Sequence, residues 1–203
     1  MGRLGLAWAA VAGAGLLALP ASAAQAPMLP MGETEQAHPA LPPILTLRDR
    51  AKVIDAILAD RLDTVIPRLM REQKTDMWVL VAREYLEDPV VATMLNADSL
   101  RARRRTILVF HDPGEGKPVE RLTVSRYGMG GLFKAAWNPD TQPDQWKALA
   151  ELIAARNPKA IAVNTSSLTA FGDGMTASQN AEMLAALSPE LRPRIVSGEA
   201  RVI

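Results

Sequence analysis

The chain contains no cysteine and only two histidines, His38 and His111. Without thiols there is no disulfide bracing, no cysteine-based metal site and no thiol nucleophile, so stability has to come from packing. Aromatic residues are scarce at 4%, and none is interleaved with the basic run Arg101, Arg103, Arg104 and Arg105. That run lacks the stacking platforms of a nucleic-acid surface and reads as a solvated strand entrance, or as a set of ion-pair partners for the acidic residues between Glu84 and Asp88. An excess of either charge is also missing, with 23 Lys and Arg against 22 Asp and Glu. This balance excludes a global electrostatic draw towards nucleic acid or an anionic membrane. No H-E-x-x-H, P-loop or nucleophile elbow occurs. Tyr127–Gly131 is glycine-rich, but Phe133 stands where a dinucleotide fingerprint needs its last glycine. Those glycines are expected to let the backbone turn or approach another element closely.

What is present is a globular composition, 48% hydrophobic and 22% charged over 203 residues, enough for one domain with its own core. Residues 1–26 stand apart. Arg3 is followed by the uncharged run Leu4–Leu19, then by Pro20 and the small-residue sites Ala21-Ser22-Ala23 and Ala24-Gln25-Ala26. This is the pattern of a secretory signal peptide, with cleavage expected after Ala23, Ala24 or Ala26. The run is shorter than the roughly 20 residues that span a bilayer, so the expected product is exported and released, to the periplasm or the medium, with no membrane association after cleavage. Residues 27–43 hold Pro27, Pro30, Pro39, Pro42 and Pro43 and read as an extended lead-in that includes His38. Residues 44–203 read as the folded domain.

Within that domain, Ile54, Leu58, Leu62, Ile66 and Leu69 recur at helical spacing from Leu47 to about Gln73. Pro67 is costly inside a helix, so the run is expected either to kink there or, the preferred reading, to restart with Asp63 or Thr64 as cap. Met77–Val81 is apolar on both faces, as a strand buried in a sheet is. Asp88 can cap a short helix begun by Pro89, with Val90, Val91, Met94 and Leu95 on its buried side. Thr106–Phe110 and Arg121–Ser125 flank the turn residues 111–118 and predict a hairpin. His111 and Asp112 alternate along the strand and so point to opposite faces rather than forming a catalytic pair. A helix capped by Asp140 or Thr141 and ending at Arg156, the strand Ala160–Val163, a helix from Ala177 capped by Thr176, and the strand Arg194–Ser197 predict two crossover units with parallel strands. The fold class is therefore α/β: a mixed sheet with a hairpin and two βαβ-type crossovers, helices on its faces. Asn164-Thr165-Ser166 also fits an N-glycosylation triplet.

The stretch with the most functional character is Asp76–Pro89, DMWVLVAREYLEDP. A buried strand stops there at Arg83, Glu84, Tyr85, Glu87 and Asp88, and ligands of open α/β sheets gather at the carboxyl ends of strands. The plain alternative is a solvated turn. No side-chain set suited to catalysis or to holding a metal or cofactor accompanies the cluster, so it is expected to be an interface or a substrate-mouth surface.

Several segments, in order, resemble the N-terminal domain of the creatinase, prolidase and Xaa-Pro aminopeptidase family of metallopeptidases, in its secreted bacterial form. They are LPPILTLRDR (41–50), DRLDTVIPRLM (60–70), DMWVLVAREYLEDPV (76–90), RRRTILVFHD (103–112), ERLTVSRYGMG (120–130), NPKAIAVNTS (157–166), DGMTAS (173–178) and VSGEA (196–200). The resemblance implies a ribonuclease-H-like α/β domain that covers a second, "pita-bread" domain, narrows its mouth to short peptides and contributes to a homodimer. It also implies that the two divalent metal ions and the peptidase chemistry belong to that second domain, whose ligand positions cannot be matched to this chain. The expected function is thus that of a non-catalytic front domain, the chain being a fragment that stops in the apolar run Val202-Ile203, with no activity of its own. The competing expectation is a stand-alone exported module that binds a peptide or small ligand.

Overall fold

The computed structural model describes residues 44–85, 88–99, 104–114 and 116–202. The leader, the Pro-rich lead-in with His38, and Glu87 of the candidate cluster lie outside these residues. Ile44–Ile203 forms one compact unit.

Thr46 opens the first helix, α1 (Leu47–Asp60), by accepting a hydrogen bond from the Asp49 backbone N–H. The expected restart before Pro67 does not occur. The helix runs on through a π-turn, Arg61–Val65, into α2 (Ile66–Glu72), and neither junction carries a side-chain cap. The Ile66 N–H reaches back to the Arg61 carbonyl, and the Thr64 hydroxyl donates to the Asp60 carbonyl at 2.8 Å instead of capping a new helix. Pro67 follows where the hydrogen-bond register returns from five residues to four, so its missing N–H is absorbed by the bulge. The bulge has a second effect. Leu58, Leu62, Ile66 and Met70 are buried at a spacing of four, which drifts about 40° per step around an ordinary helix, and the under-wound turn holds them to one face. Ile54 and Leu69 fall off that face: Ile54 is exposed, Leu69 half-buried, and Met70 takes the core position.

The central strand β1 (Met77–Arg83) is buried along all but its last residue. Asp88 caps α3 (Pro89–Thr93), as its sequence indicates, by accepting from the Val90 and Val91 N–H groups. Then come β2 (Arg105–His111), β3 (Glu120–Thr123), the two-residue β4 (Lys134–Ala135), α4 (Gln145–Arg156), β5 (Ile161–Val163), α5 (Ala177–Ala186) and β6 (Ile195–Ser197). The cap of α4 is Asp144; Asp140 instead forms a two-point ion pair with Arg126. Thr176 and Gln179 make a reciprocal capping box on α5. Gly130 has a φ of +55°, and a Cβ there would meet the Asn96 side chain at 2.7 Å, so it serves as both a turn and a close approach.

The strands form one mixed sheet in the order β4-β3-β2-β1-β5-β6. The pairs β1–β2 and β2–β3 are antiparallel, and β3–β4, β1–β5 and β5–β6 are parallel. The second crossover joins neighbouring strands through α5. The first does not: α4 carries the chain from the β3–β4 edge across two strands to β5, which pairs with β1. Side-chain alternation then produces two cores. Met77, Val79, Val81, Ile107 and Val109 pack with Trp146, Leu149, Ile153 and Met183 of α4 and α5. Trp78, Leu80, Leu108 and Phe110 pack with Leu58, Leu62, Ile66 and Met70 and with Val90, Val91 and Met94 around α3. Each such side chain contributes roughly 1.5–3 kcal/mol on burial, and because β1 and β2 supply both faces they hold the three layers together. Among the described residues, no helix is long and apolar enough to cross a membrane.

Candidate functional site

β1, β5 and β6 are parallel, so their carboxyl ends share one edge of the sheet, and the loops that follow them meet there. As β1 leaves the sheet, the Glu84 N–H donates to the Arg104 carbonyl at 2.7 Å. Tyr85 then takes a φ of +67°, a left-handed conformation that costs a side-chain-bearing residue about 1–2 kcal/mol. The turn projects the Tyr85 ring into solvent, 85% exposed. Arg83 and Glu84 beside it are exposed as well. None of the three has a side-chain hydrogen bond or ion pair among the described residues.

Asp88 is separated from this group by burial. It is 0% exposed, with Oδ1 at 2.7 Å and 3.0 Å from the Val90 and Val91 N–H groups and Oδ2 accepting from Asn164 Nδ2 at 2.8 Å. Asn164 Oδ1 in turn accepts from the Trp78 indole N–H at 3.0 Å. Removal from water pushes the Asp88 carboxyl above its ordinary value, against the Val91, Asn164 and Val90 donors that favour the charged form. The loop after β5 closes over this cluster through Gly174, where a Cβ would come within 2.1 Å of Asp88 Oδ2. The loop after β6 closes through the Gly198 N–H, which donates to the Val163 carbonyl at 2.6 Å. The carboxyl edge is thus a sealed polar lock beneath an exposed turn. Asn164, fully buried and with its amide occupied at both ends, is inaccessible as a glycan acceptor. Its role was not visible in the sequence, where it looked like a loop residue; the one hint is a carboxamide directly after a buried strand.

At the opposite edge, His111 and Asp112 face different layers, as their alternation requires. Asp112 accepts from Arg71 Nε at 2.9 Å, on the α2 side. Burial raises its carboxyl, but the Arg71 hydrogen bond, the Gly114 N–H and the charges of Arg71 and His111 prevail and leave it below the ordinary range. On the α4 side, His111 Nδ1 lies 2.8 Å from Glu120 Oε2, which also accepts from Arg156 Nε at 2.6 Å. The Arg156 bond is the main reason that the Glu120 carboxyl lies low, with His111 a smaller contribution. Arg105 does not join the acidic cluster; it pairs with Glu182 at 3.2 Å and stacks on Trp146 at 4.4 Å. Arg101 and Arg103 lie outside the described residues. No group of three or more His, Asp or Glu that could hold a metal ion occurs among the described residues.

A groove of about 430 Å³ opens between α2, α3 and the segments at Phe171 and Arg201–Val202. Trp78 forms part of its lining, with Val65, Leu69, Val90 and Met94 around it, and Phe171 stands at its lip, 67% exposed. Its charged lining residues, among those described, are Arg61 and Arg201. Arg61 Nη1 donates to the Thr93 carbonyl at 2.8 Å. Arg201 donates to the Ser197 and Gln73 carbonyls and to the Thr75 hydroxyl, and its Nε is buried without an acceptor. Burial lowers the Arg201 guanidinium from its ordinary value.

Comparison with protein families, with curated proteins and with solved structures finds no match.

Proposed function

We propose that this chain is the non-catalytic front domain of an exported metallopeptidase of the creatinase, prolidase and Xaa-Pro aminopeptidase kind, with the ribonuclease-H-like domain fold of that family. The Arg83–Tyr85 turn is its docking or substrate-mouth edge. The observation that carries this reading is Tyr85: a bulky aromatic residue held at positive φ and left exposed, in the turn that follows a strand buried from Met77 to Ala82. Backbone strain of this kind persists only where the surrounding structure imposes it, and it clusters at functional surfaces. An exposed aromatic beside one cation and one anion, all without a side-chain partner among the described residues, is a typical interface anchor. The Asp88–Asn164–Trp78 lock supplies the rigid base from which the turn projects. In this reading the two divalent ions and the hydrolytic groups reside on a following catalytic domain, and that domain, with a second copy of the protein, is the partner.

Expression of residues 27–203 alone and joined to the downstream reading frame tests the proposal. Chelator-sensitive cleavage before proline is expected only for the joined protein. Such activity in the 27–203 chain by itself would overturn the reading, as would a downstream frame that encodes no metal-binding domain.

A further inference from the structure

The long first helix carries two apolar stripes, and the core uses one. Leu58, Leu62, Ile66 and Met70 are buried. Beside them Leu47, Ile54 and Ile57 are exposed, and the same three-and-four spacing continues through Val65 and Leu69 into the groove beside Trp78. Arg50 and Arg61 fall at the remaining positions of this outer stripe, with Arg201 at its far end. From Leu47 to Leu69 the stripe is about 33 Å long at the helical rise, well beyond the reach of a small ligand.

We infer that this outer stripe and the groove form a docking site for an amphipathic helix of a partner protein, one whose apolar face carries acidic side chains. Charge decides the occupant. Among the described residues, the cations of the stripe contact only neutral oxygens: Arg50 the Leu45 carbonyl at 3.0 Å, Arg61 the Thr93 carbonyl, Arg201 two carbonyls and a hydroxyl. For Arg61 and Arg201, which are half-buried, a guanidinium without an anion is a cost that an incoming carboxylate removes. A second copy would offer the same cations and no carboxylate at the stripe's own positions. Apolar anchors at this spacing, leading into a hydrophobic groove, are the recognition mode of a helix laid along a helix. The site is separate from Tyr85 and does not depend on the role proposed for that turn.

The test uses the mature full chain and two synthetic helical peptides with the same Leu and Ile face, one with two Glu on it and one with Gln in their place. Calorimetry should show the Glu peptide binding and the Gln peptide at least about tenfold weaker, about 1.4 kcal/mol. Amide and Trp78 indole shifts should map to the stripe and groove. Ile57→Asp, at an exposed position that leaves the fold intact by circular dichroism, should abolish binding. Arg61→Glu should weaken the Glu peptide and restore binding to a Lys-bearing version. Equal affinity for the Glu and Gln peptides, binding mapped elsewhere, an Ile57→Asp protein that binds normally, or no binding at all would overturn the inference. So would decanoate occupying the groove while neither peptide binds, since the site would then be one for fatty acids.

Discussion

At the amino end of β1, Asp112 pairs with Arg71, and Glu120 with Arg156 and the His111 ring, each pair keeping one partner about 40% exposed. At its carboxyl end, Asp88 is fully buried, has no cation beside it among the described residues, and relies on two backbone amides and one carboxamide. The same residue type is therefore pushed in opposite directions, Asp112 down and Asp88 up. The contrast shows what each edge is built for. Water and mobile ions can repair a lost partner at the amino edge, whereas at the carboxyl edge the Asp88 and Asn164 hydrogen bonds are buried and a lost partner is not replaced.

The largest effect should come from breaking the closed edge. Asn164→Ala removes an acceptor from Trp78 and a donor from Asp88, and should lower unfolding free energy in urea by about 2–4 kcal/mol, since each buried group left unpaired costs about 1–3 kcal/mol. A loss below about 1 kcal/mol would mean that the lock is open to water. Glu120→Gln should cost less, about 1 kcal/mol or under, because exposed pairs are screened. If it costs as much as Asn164→Ala, the two edges are not energetically different.

The pH dependence of stability should separate the edges by sign. Glu120 and Asp112 have lowered folded-state values, so their contribution is complete above their unfolded values and is lost as pH falls through the folded ones. Asp88 has a raised value; its folded state takes up a proton first, so its contribution grows as pH falls from neutrality towards the ordinary 3.8. Subtracting the pH–stability curve of Glu120→Gln from that of the unsubstituted protein should leave a difference that shrinks in acid. The same subtraction for Asp88→Asn should leave a slope of opposite sign. Two slopes of one sign would refute the contrast.

The smallest expected change in stability is that of the double substitution Arg83→Ala, Tyr85→Ala. Exposed residues without partners should shift it by no more than about 0.5 kcal/mol, while binding of the proposed catalytic domain weakens. A double variant that unfolds would make the turn a structural element and not a docking edge.

Much of the fold was legible before the structure. A run apolar on both faces marked β1, the turn residues 111–118 marked the hairpin of β2 and β3, and Asp88 and Thr176 marked the starts of α3 and α5. These features act over a few residues, and local chemistry suffices for them. The helix restart and the Asp140 cap were misplaced because competing local solutions existed: a π-turn can absorb a proline, and Asp140 had a better partner in Arg126. The exposed half of the candidate cluster, Arg83 to Tyr85, could be read from charge following a buried strand.

What the chain determined by itself was most of the elements, the caps of α3 and α5, and the alternation that gives the sheet two buried faces. Tertiary structure alone decided which strand lies beside β1, that Asp88 is sealed while Tyr85 stands out, and that Asn164, 76 residues further on, completes its hydrogen bonding. It also decided which of the two stripes on the first helix enters the core. Local patterns specify what each segment can bury. Only the assembled layers specify which of those surfaces find a partner and which remain open to another molecule.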